Sequence, residues 1–378
     1  MNRTHLSDLL GGFDPSLPIE RAWTPPASWF NSPEFYAFEQ AELFAKSWQP
    51  VARVEELLEP GAFRAGCVGR NPWVIVRGTD GELRAFHNTC RHKGREVVQG
   101  SGSALELVCG YHAWAYDLEG RLCRAPRMAG IDDFEREAMS LKPMALETWG
   151  PLVFINGDPD AAPLLETVSP LTEHLEAGAW DQLEFVESAS WEIACNWKVV
   201  VDNYLDGGYH IPHMHPTLDA QLDIESYRTR LFDKCSIQSS RPACSKDERL
   251  TFDASARIGD EALYMWLFPN FMLNRYGPCL DTNWVIPRGP ESCEVVYEFY
   301  FMKDQGGDAL RLVQDSIEQS NVTQREDISI CESVQLGLNS TSYDRGRYAP
   351  QVEMGEYHFH QLLAAHLSLE KDTGPLGS

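Results

Sequence analysis

Two tight pairs of metal-binding side chains constrain this chain more than any other feature: Cys90-Arg-His92 and, after sixteen intervening residues, Cys109-Gly-Tyr-His112. Pairs this short fit loops or strand ends, where both side chains can turn toward a shared site without interrupting a ladder of backbone hydrogen bonds. Two thiolates and two imidazoles suit either tetrahedral zinc or an iron–sulfur cluster of mixed ligation. Four buried residues that never meet is the bland alternative, and two pairs at this spacing weigh against it.

The flanking sequence has the pattern such loops need. From Trp48 to about Asp158, short β-like runs such as WVIVRG, LRAFHNTC and GPLVFING alternate with turn signals, and Asp80-Gly81 and Glu119-Gly120 read as hairpin tips. Residues 159 to 189 change to helical spacing. The expected organisation is therefore α+β, in four parts. Residues 1–43 form an N-terminal segment packed on the second domain; 44–158 form a β-sandwich; 159–368 form a domain with an antiparallel sheet covered by helices; 369–378 are a polar tail. In the second domain ALYMWLFPNFMLNRY, LDTNWVIPRG and SCEVVYEFYFM read as strands, the stretch from Asn196 to about Tyr209 as a helix, and LRLVQDSIEQSNVTQREDISICESVQLGL as one long helix.

Charge narrows the partners. A formal net charge of −24 repels phosphate backbones and anionic lipid, so neither nucleic acid nor a membrane is expected. Ten cysteines scattered through 378 residues, with no apolar run long enough for a signal peptide or a membrane span, point to a reducing, cytoplasmic location. Apart from Cys90 and Cys109, the cysteines read as core residues.

A second cluster lies in Asp202-Asn-Tyr-Leu-Asp206-Gly-Gly-Tyr-His210-Ile-Pro212-His213-Met-His215. Non-haem iron(II) sites use two histidines and one carboxylate on one face and leave the other positions open. On an unbroken helix His210 and His213 would share a face, but Pro212 disfavours helix at Ile211 and can swing His215 back toward His210. A His-rich surface loop is the competing reading.

The Cys-x-His and Cys-x-x-His loops, with Gly-Tyr-His-x-Trp at the second, resemble the Rieske domain. Nearly the whole chain, from TPPASWF to EYHFHQLL, resembles the α subunit of Rieske non-haem iron oxygenases. The resemblance implies a Rieske 2Fe-2S cluster with Cys90 and Cys109 on one iron and His92 and His112 on the other. It implies a mononuclear Fe(II) on His210, His215 and a late-helix carboxylate, Asp327, with its neighbour Glu326 as competitor, and it leaves His213 off the metal. It also places an acid just before the first histidine, bridging it to a cluster histidine of a neighbouring subunit. Asp206 fits that role, with Asp202 in reserve and Asn203 a further catalytic candidate, although Gly207 stands where many relatives carry the acid. A homotrimer follows, using O2 and electrons from NAD(P)H through a separate reductase, with or without a ferredoxin, since no Gly-rich dinucleotide fingerprint is present.

Within the family the similarity is greatest to the choline monooxygenases, carried by CNWK, DNYLDGGYHIPHMH, FPNF, RYG and QREDISICESVQLGL. That implies a small quaternary-ammonium substrate, choline first, hydroxylated to betaine aldehyde hydrate. N-demethylation of glycine betaine or another betaine, aromatic-ring dioxygenation and simple electron transfer are the alternatives. Aromatic faces hold such cations. Tyr204, Trp266, Phe268, Phe271, Tyr276 and Trp284 lie near the predicted site segments, and two or three of them are expected to form a cage.

Overall fold

The computed structural model describes residues 10–175, 179–243, 257–303 and 309–368. The expected tail at 369–378 lies outside them. The chain divides into two compact units, residues 39–166 and residues 1–38 with 167–378.

In the smaller unit a seven-stranded antiparallel sheet has the order β1 (Gln49–Arg53), β10 (Leu152–Asn156), β9 (Pro143–Trp149), β4 (Leu83–His87), β3 (Asn71–Arg77), β2 (Ala62–Val68), β5 (Ser101–Ser103). A second sheet pairs β6 (Leu107–Val108), β7 (Ala115–Tyr116) and β8 (Leu122–Arg124). The run WVIV is buried throughout, as expected of a central strand whose two faces are both covered. Val74, Val76 and Phe86 from the large sheet meet Leu107, Tyr116 and Leu122 from the small one in a single core that also holds Cys90, Cys109 and Trp114. Gly81 and Gly120, both at positive φ, turn the chain where the hairpin tips were expected.

The larger unit is built on a seven-stranded antiparallel sheet ordered β11 (Leu183–Ile193), β17 (Ser292–Met302), β16 (Cys279–Gly289), β15 (Phe271–Tyr276), β14 (Ala262–Leu267), β13 (Cys235–Pro242), β12 (Leu222–Leu231). Helices α1 (Trp197–Leu205), α2 (Ala309–Leu338) and α3 (Met354–Leu367) accompany it, with α1 packed against both other helices and over β16. The Asn196 side chain caps α1 by accepting from the Lys198 amide, and the Asn196 amide donates to Gln335 of α2 at 2.8 Å. The helix ends at Leu205, short of the expected Tyr209, because Gly207 and Gly208 take left-handed backbone angles.

Five of the other cysteines, Cys195, Cys235, Cys279, Cys293 and Cys331, are core residues, Cys244 lies outside the described residues, and Cys67 and Cys123 are exposed. Both sit on strands of the smaller unit at positions that turn outward. No helix among the described residues is long and apolar enough to cross a membrane.

Candidate functional site

The Cys90–Arg95 loop follows β4 and is closed by the Cys90 amide donating to the Arg95 carbonyl at 2.8 Å and the Gly94 amide donating to Cys90 at 2.9 Å. The second loop joins β6 to β7, with the Cys109 amide on the Trp114 carbonyl at 2.8 Å and the Ala113 amide on Cys109 at 3.0 Å. Both cysteines are buried, His92 is half-buried and His112 is exposed, so the sulfurs face the core and the imidazoles face outward. The His92 ring stacks on Trp114, with centroids 5.0 Å apart, and meets the His112 ring edge-on at 4.5 Å. Its buried Nδ1 has no hydrogen-bond partner among the described residues. Desolvation, then the nearby His112 and Lys93, lowers the His92 pKa, which favours the neutral imidazole a metal needs. Tyr116 donates to the Cys90 sulfur at 3.5 Å.

Among the described residues, two sets of at least three donor atoms converge within 4.8 Å: His210–His215–Asp327 and Asp202–Glu356–His360. The two Cys/His pairs form no such set. Two thiols and two imidazoles match the mixed ligand set of a two-iron cluster with cysteines on one iron and histidines on the other.

The first set is built where α1 stops. His210 precedes a single turn of helix, Ile211–Met214, with Pro212 in its first turn, and His215 leaves that turn in a non-helical conformation. This bend brings His215 Nε2 to 3.0 Å from His210 Nε2 and leaves His213 exposed. Asp327 Oδ1, one helix and 112 residues away, lies 3.1 Å from His215 Nε2 and 3.7 Å from His210 Nε2. Donor atoms roughly 2.1 Å from one metal at right angles stand roughly 3.0 Å apart, so this triad fits one ion with adjacent positions left open.

A carboxylate sits behind each histidine. Asp206 lies 2.6 Å from His210 Nδ1 and also accepts the backbone amides of Gly208, Tyr209 and His210. Glu326 lies 2.6 Å from His215 Nδ1. Such contacts turn the other ring nitrogen, with its lone pair, toward the metal. Burial pulls the His215 pKa down, but the hydrogen bonds and charges of Asp327 and Glu326 outweigh it and leave it raised. A bound cation would take that proton's place. Asn203 donates to Asp327 Oδ1 at 2.7 Å.

Glu326, weighed as a rival to Asp327 for the metal, thus reaches the same histidine from its far side. Asp202 points elsewhere, with His360 Nε2 3.1 Å from its Oδ1. Gly207 cannot carry an acid in this backbone: its φ is +74°, and a Cβ would lie 2.2 Å from the Val352 carbonyl oxygen.

The triad opens into a cavity of about 640 Å³, mouth included, in the larger unit. Five tyrosines line it: Tyr204, Tyr227, Tyr264, Tyr276 and Tyr297. Burial raises the pKa of every one, so they remain neutral phenols. Tyr204 donates to Asn274 at 2.8 Å and Tyr297 to Gln324 at 2.6 Å, which ties hydroxyls to the wall. Gly208 lets the backbone approach Tyr227, whose ring a Cβ would meet at 2.8 Å.

Of the six aromatics expected near the substrate, Tyr204 and Tyr276 line the cavity and four do not. Phe271 and Trp284 are cross-strand partners on the opposite face of the sheet, displaced by strand alternation from Asn274 and Asn283 on the cavity side. Trp266 shares a face with Tyr264 but packs on Phe359 of α3, and Phe268 sits in the turn after β14 against His366. Tyr227, Tyr264, Tyr297 and the buried Arg257 were missed. Tyr264, Tyr276 and Tyr297 lie at even offsets on strands already predicted, and strand pairing was the signal that would have found them.

A fold of this pairing, with a Cys/His cluster unit and a two-histidine, one-carboxylate unit, defines a Rieske-type oxygenase. The Rieske [2Fe-2S] domain family matches residues 47–135, and the catalytic domain of the ring hydroxylating alpha subunit family matches residues 180–369. The chain belongs to the Rieske non-haem iron oxygenases, and its cofactors are a Rieske 2Fe-2S cluster and a mononuclear iron. It is 41% identical to the chloroplastic choline monooxygenase of Arabidopsis thaliana over 96% of this chain and 87% of that one. The carnitine monooxygenase oxygenase subunit of Escherichia coli (strain K12) is 31% identical, over 91% and 94% of the two chains. Among solved structures, a quaternary ammonium Rieske monooxygenase described for carnitine oxidation and inter-subunit electron transfer superposes with a TM-score of 0.79 at 30% identity, covering 96% and 98%. Naphthalene 1,2-dioxygenase from Rhodococcus sp., at 19% identity and a TM-score of 0.75 over 97% and 98%, shares the fold.

Proposed function

We propose that this oxygenase acts on a small quaternary-ammonium compound; resemblance to the choline monooxygenases puts choline first, and the Arg257 guanidinium on the cavity wall favours a betaine. The observation that carries the reading is a metal triad opening directly onto a cavity walled by five neutral tyrosines. A trimethylammonium group accepts no hydrogen bond, and aromatic faces stabilise it at roughly 0.5–2 kcal/mol each. The choline and carnitine monooxygenases among its relatives support the same class.

In this reading Cys90, Cys109, His92 and His112 hold the cluster, and His210, His215 and Asp327 hold the iron. The iron, once bound, supplies the O2 activation that inserts one oxygen atom into a substrate C–H bond. Asp206 and Glu326 fix the histidine tautomers, Asn203 fixes the Asp327 carboxylate, and the tyrosines exclude water while holding the cation. Choline, O2, two electrons and two protons give betaine aldehyde hydrate and water. Demethylation of a betaine to the tertiary amine and formaldehyde is the second reading, favoured by the Arg257 guanidinium on the cavity wall.

The electrons come from NAD(P)H through a separate reductase, the assembly is a homotrimer, and the enzyme works in the cytoplasm. Mixing a cluster-dead variant with an iron-dead one, after subunit exchange, restores part of the activity; full activity of a demonstrated monomer would remove the trimer. For the substrate, O2 uptake coupled to product detection by mass spectrometry is measured across choline, glycine betaine, carnitine and a neutral arene. Consumption of the arene alone would hand the site to ring oxygenation.

A further inference from the structure

Resting on the quaternary-ammonium reading, the geometry points to Arg257 as a carboxylate-binding residue that makes the cavity select zwitterions, compounds carrying both a quaternary nitrogen and a carboxylate, over choline itself.

Arg257 is 3% exposed and lines the same cavity as the tyrosines. Its guanidinium lies over the Tyr276 ring, 4.4 Å from the centroid, and Nη1 donates to Gln221 at 2.8 Å. Nε is buried without a hydrogen-bond partner among the described residues. A guanidinium buried with unused donors is costly, and a carboxylate is the group its planar fork matches best. The nearby acid, Asp281, does not fill that role. Its Oδ1 accepts from Asn274 at 2.7 Å and from Asn283 at 2.9 Å, and it sits behind these two cavity-lining residues.

The two ends of the cavity have a workable separation. Ser320 and Asp327 both line it from α2, and Ser320 hydrogen-bonds Asp281, a carboxyl close enough to Arg257 to feel its positive charge. Ser320 and Asp327 stand seven positions apart on this helix, roughly 10 Å at about 1.5 Å per residue. A betaine can place its ammonium among the tyrosines and its carboxylate on Arg257 within that length, while one of its carbons stays beside the metal triad. Choline brings another positive charge to the cavity and no carboxylate to pair with Arg257.

The test is calorimetric titration of the purified, metal-loaded protein with choline, glycine betaine, γ-butyrobetaine and 3,3-dimethylbutanol, the neutral isostere of choline. The wild type binds at least one of the two betaines more tightly than choline, by roughly tenfold. Arg257→Gln reverses the order, loosening the betaine and tightening choline, so that their affinity ratio falls by roughly a hundredfold. Arg257→Lys keeps the charge and retains part of the preference. If choline binds more tightly than its isostere but neither betaine outbinds choline, the Arg257 proposal is overturned and the cage survives. The proposal also falls if Arg257→Gln weakens choline and betaine together while Arg257→Lys leaves their ratio unchanged. If no quaternary compound outbinds the neutral isostere, the cage reading fails and takes the Arg257 proposal with it.

Discussion

The two metal-binding regions of this chain are built on opposite plans. The proposed cluster ligands lie within 23 residues, on two loops closed by their own backbone hydrogen bonds, and their imidazoles face outward. The proposed iron ligands come from a short helical turn and from a helix 112 residues further on, and His215 is 1% exposed. Orientation also has different sources. In the cluster loops it comes from backbone turns, a core of Trp114 and Tyr116, and one ring stacked on another. In the iron site it comes from charged side chains, with Asp206 and Glu326 each 2.6 Å from a histidine. A site held by local backbone geometry tolerates change elsewhere. One held by side chains from distant elements depends on each of them.

That contrast predicts losses that do not cross over. The largest effect comes from removing ligands. His215→Ala or Asp327→Ala loses the mononuclear iron and all turnover while keeping the reduced cluster's EPR signal, whereas Cys90→Ala or His112→Ala abolishes the signal and keeps the iron. Iron analysis beside EPR on the same preparations decides it, and loss of both metals in any one variant breaks the comparison.

The next effect sharpens it. Asp206→Asn and Glu326→Gln keep every ligand but remove the carboxylate behind a histidine, and each weakens iron binding by about 10–100-fold. Chelator competition measures this, and the cluster spectrum serves as the internal control. Equal weakening of cluster and iron would show that the carboxylates support the fold rather than the metal.

Smaller still are changes in the cage. Tyr264→Leu or Tyr297→Leu loosens choline by about 0.5–2 kcal/mol, read from the dissociation constant, with iron content unchanged. Trp284→Leu, on the other face of the sheet, leaves that constant alone. The smallest effect belongs to His213→Ala, which retains iron because its side chain points to solvent. Iron loss in His213→Ala without iron loss in His215→Ala would reverse the ligand assignment.

The same contrast governs what could be read in advance. Cys90, His92, Cys109 and His112 are legible because each pair is fixed by its immediate neighbours, and a hairpin needs only local turn chemistry to bring its ends together. Pro212 was expected to break the helix at Ile211, but it sits in the first turn of a short helix, where its missing N–H costs nothing, and the chain leaves the helical conformation at His215 instead. Asp327 came from resemblance, and its neighbour Glu326 could not be sorted from it by position alone. Only the packing of α2 against α1 decides which carboxylate meets His215 Nε2 and which meets Nδ1.

The sequence by itself determined the α+β class and the sheet-and-helix character of the chain, because periodicity and turn residues act over a few positions. The tertiary structure decided which aromatics face the cavity. Phe271 and Trp284 look as suitable as Tyr264 and Tyr297 in a linear reading, yet strand alternation and antiparallel register turn one pair away and the other inward. It also decided that Arg257 lies on Tyr276 with its Nε unpartnered among the described residues, a contact between β15 and a residue outside every predicted strand. Side-chain facing is set by the partner strand and the covering helix, and neither is encoded within the few residues on either side.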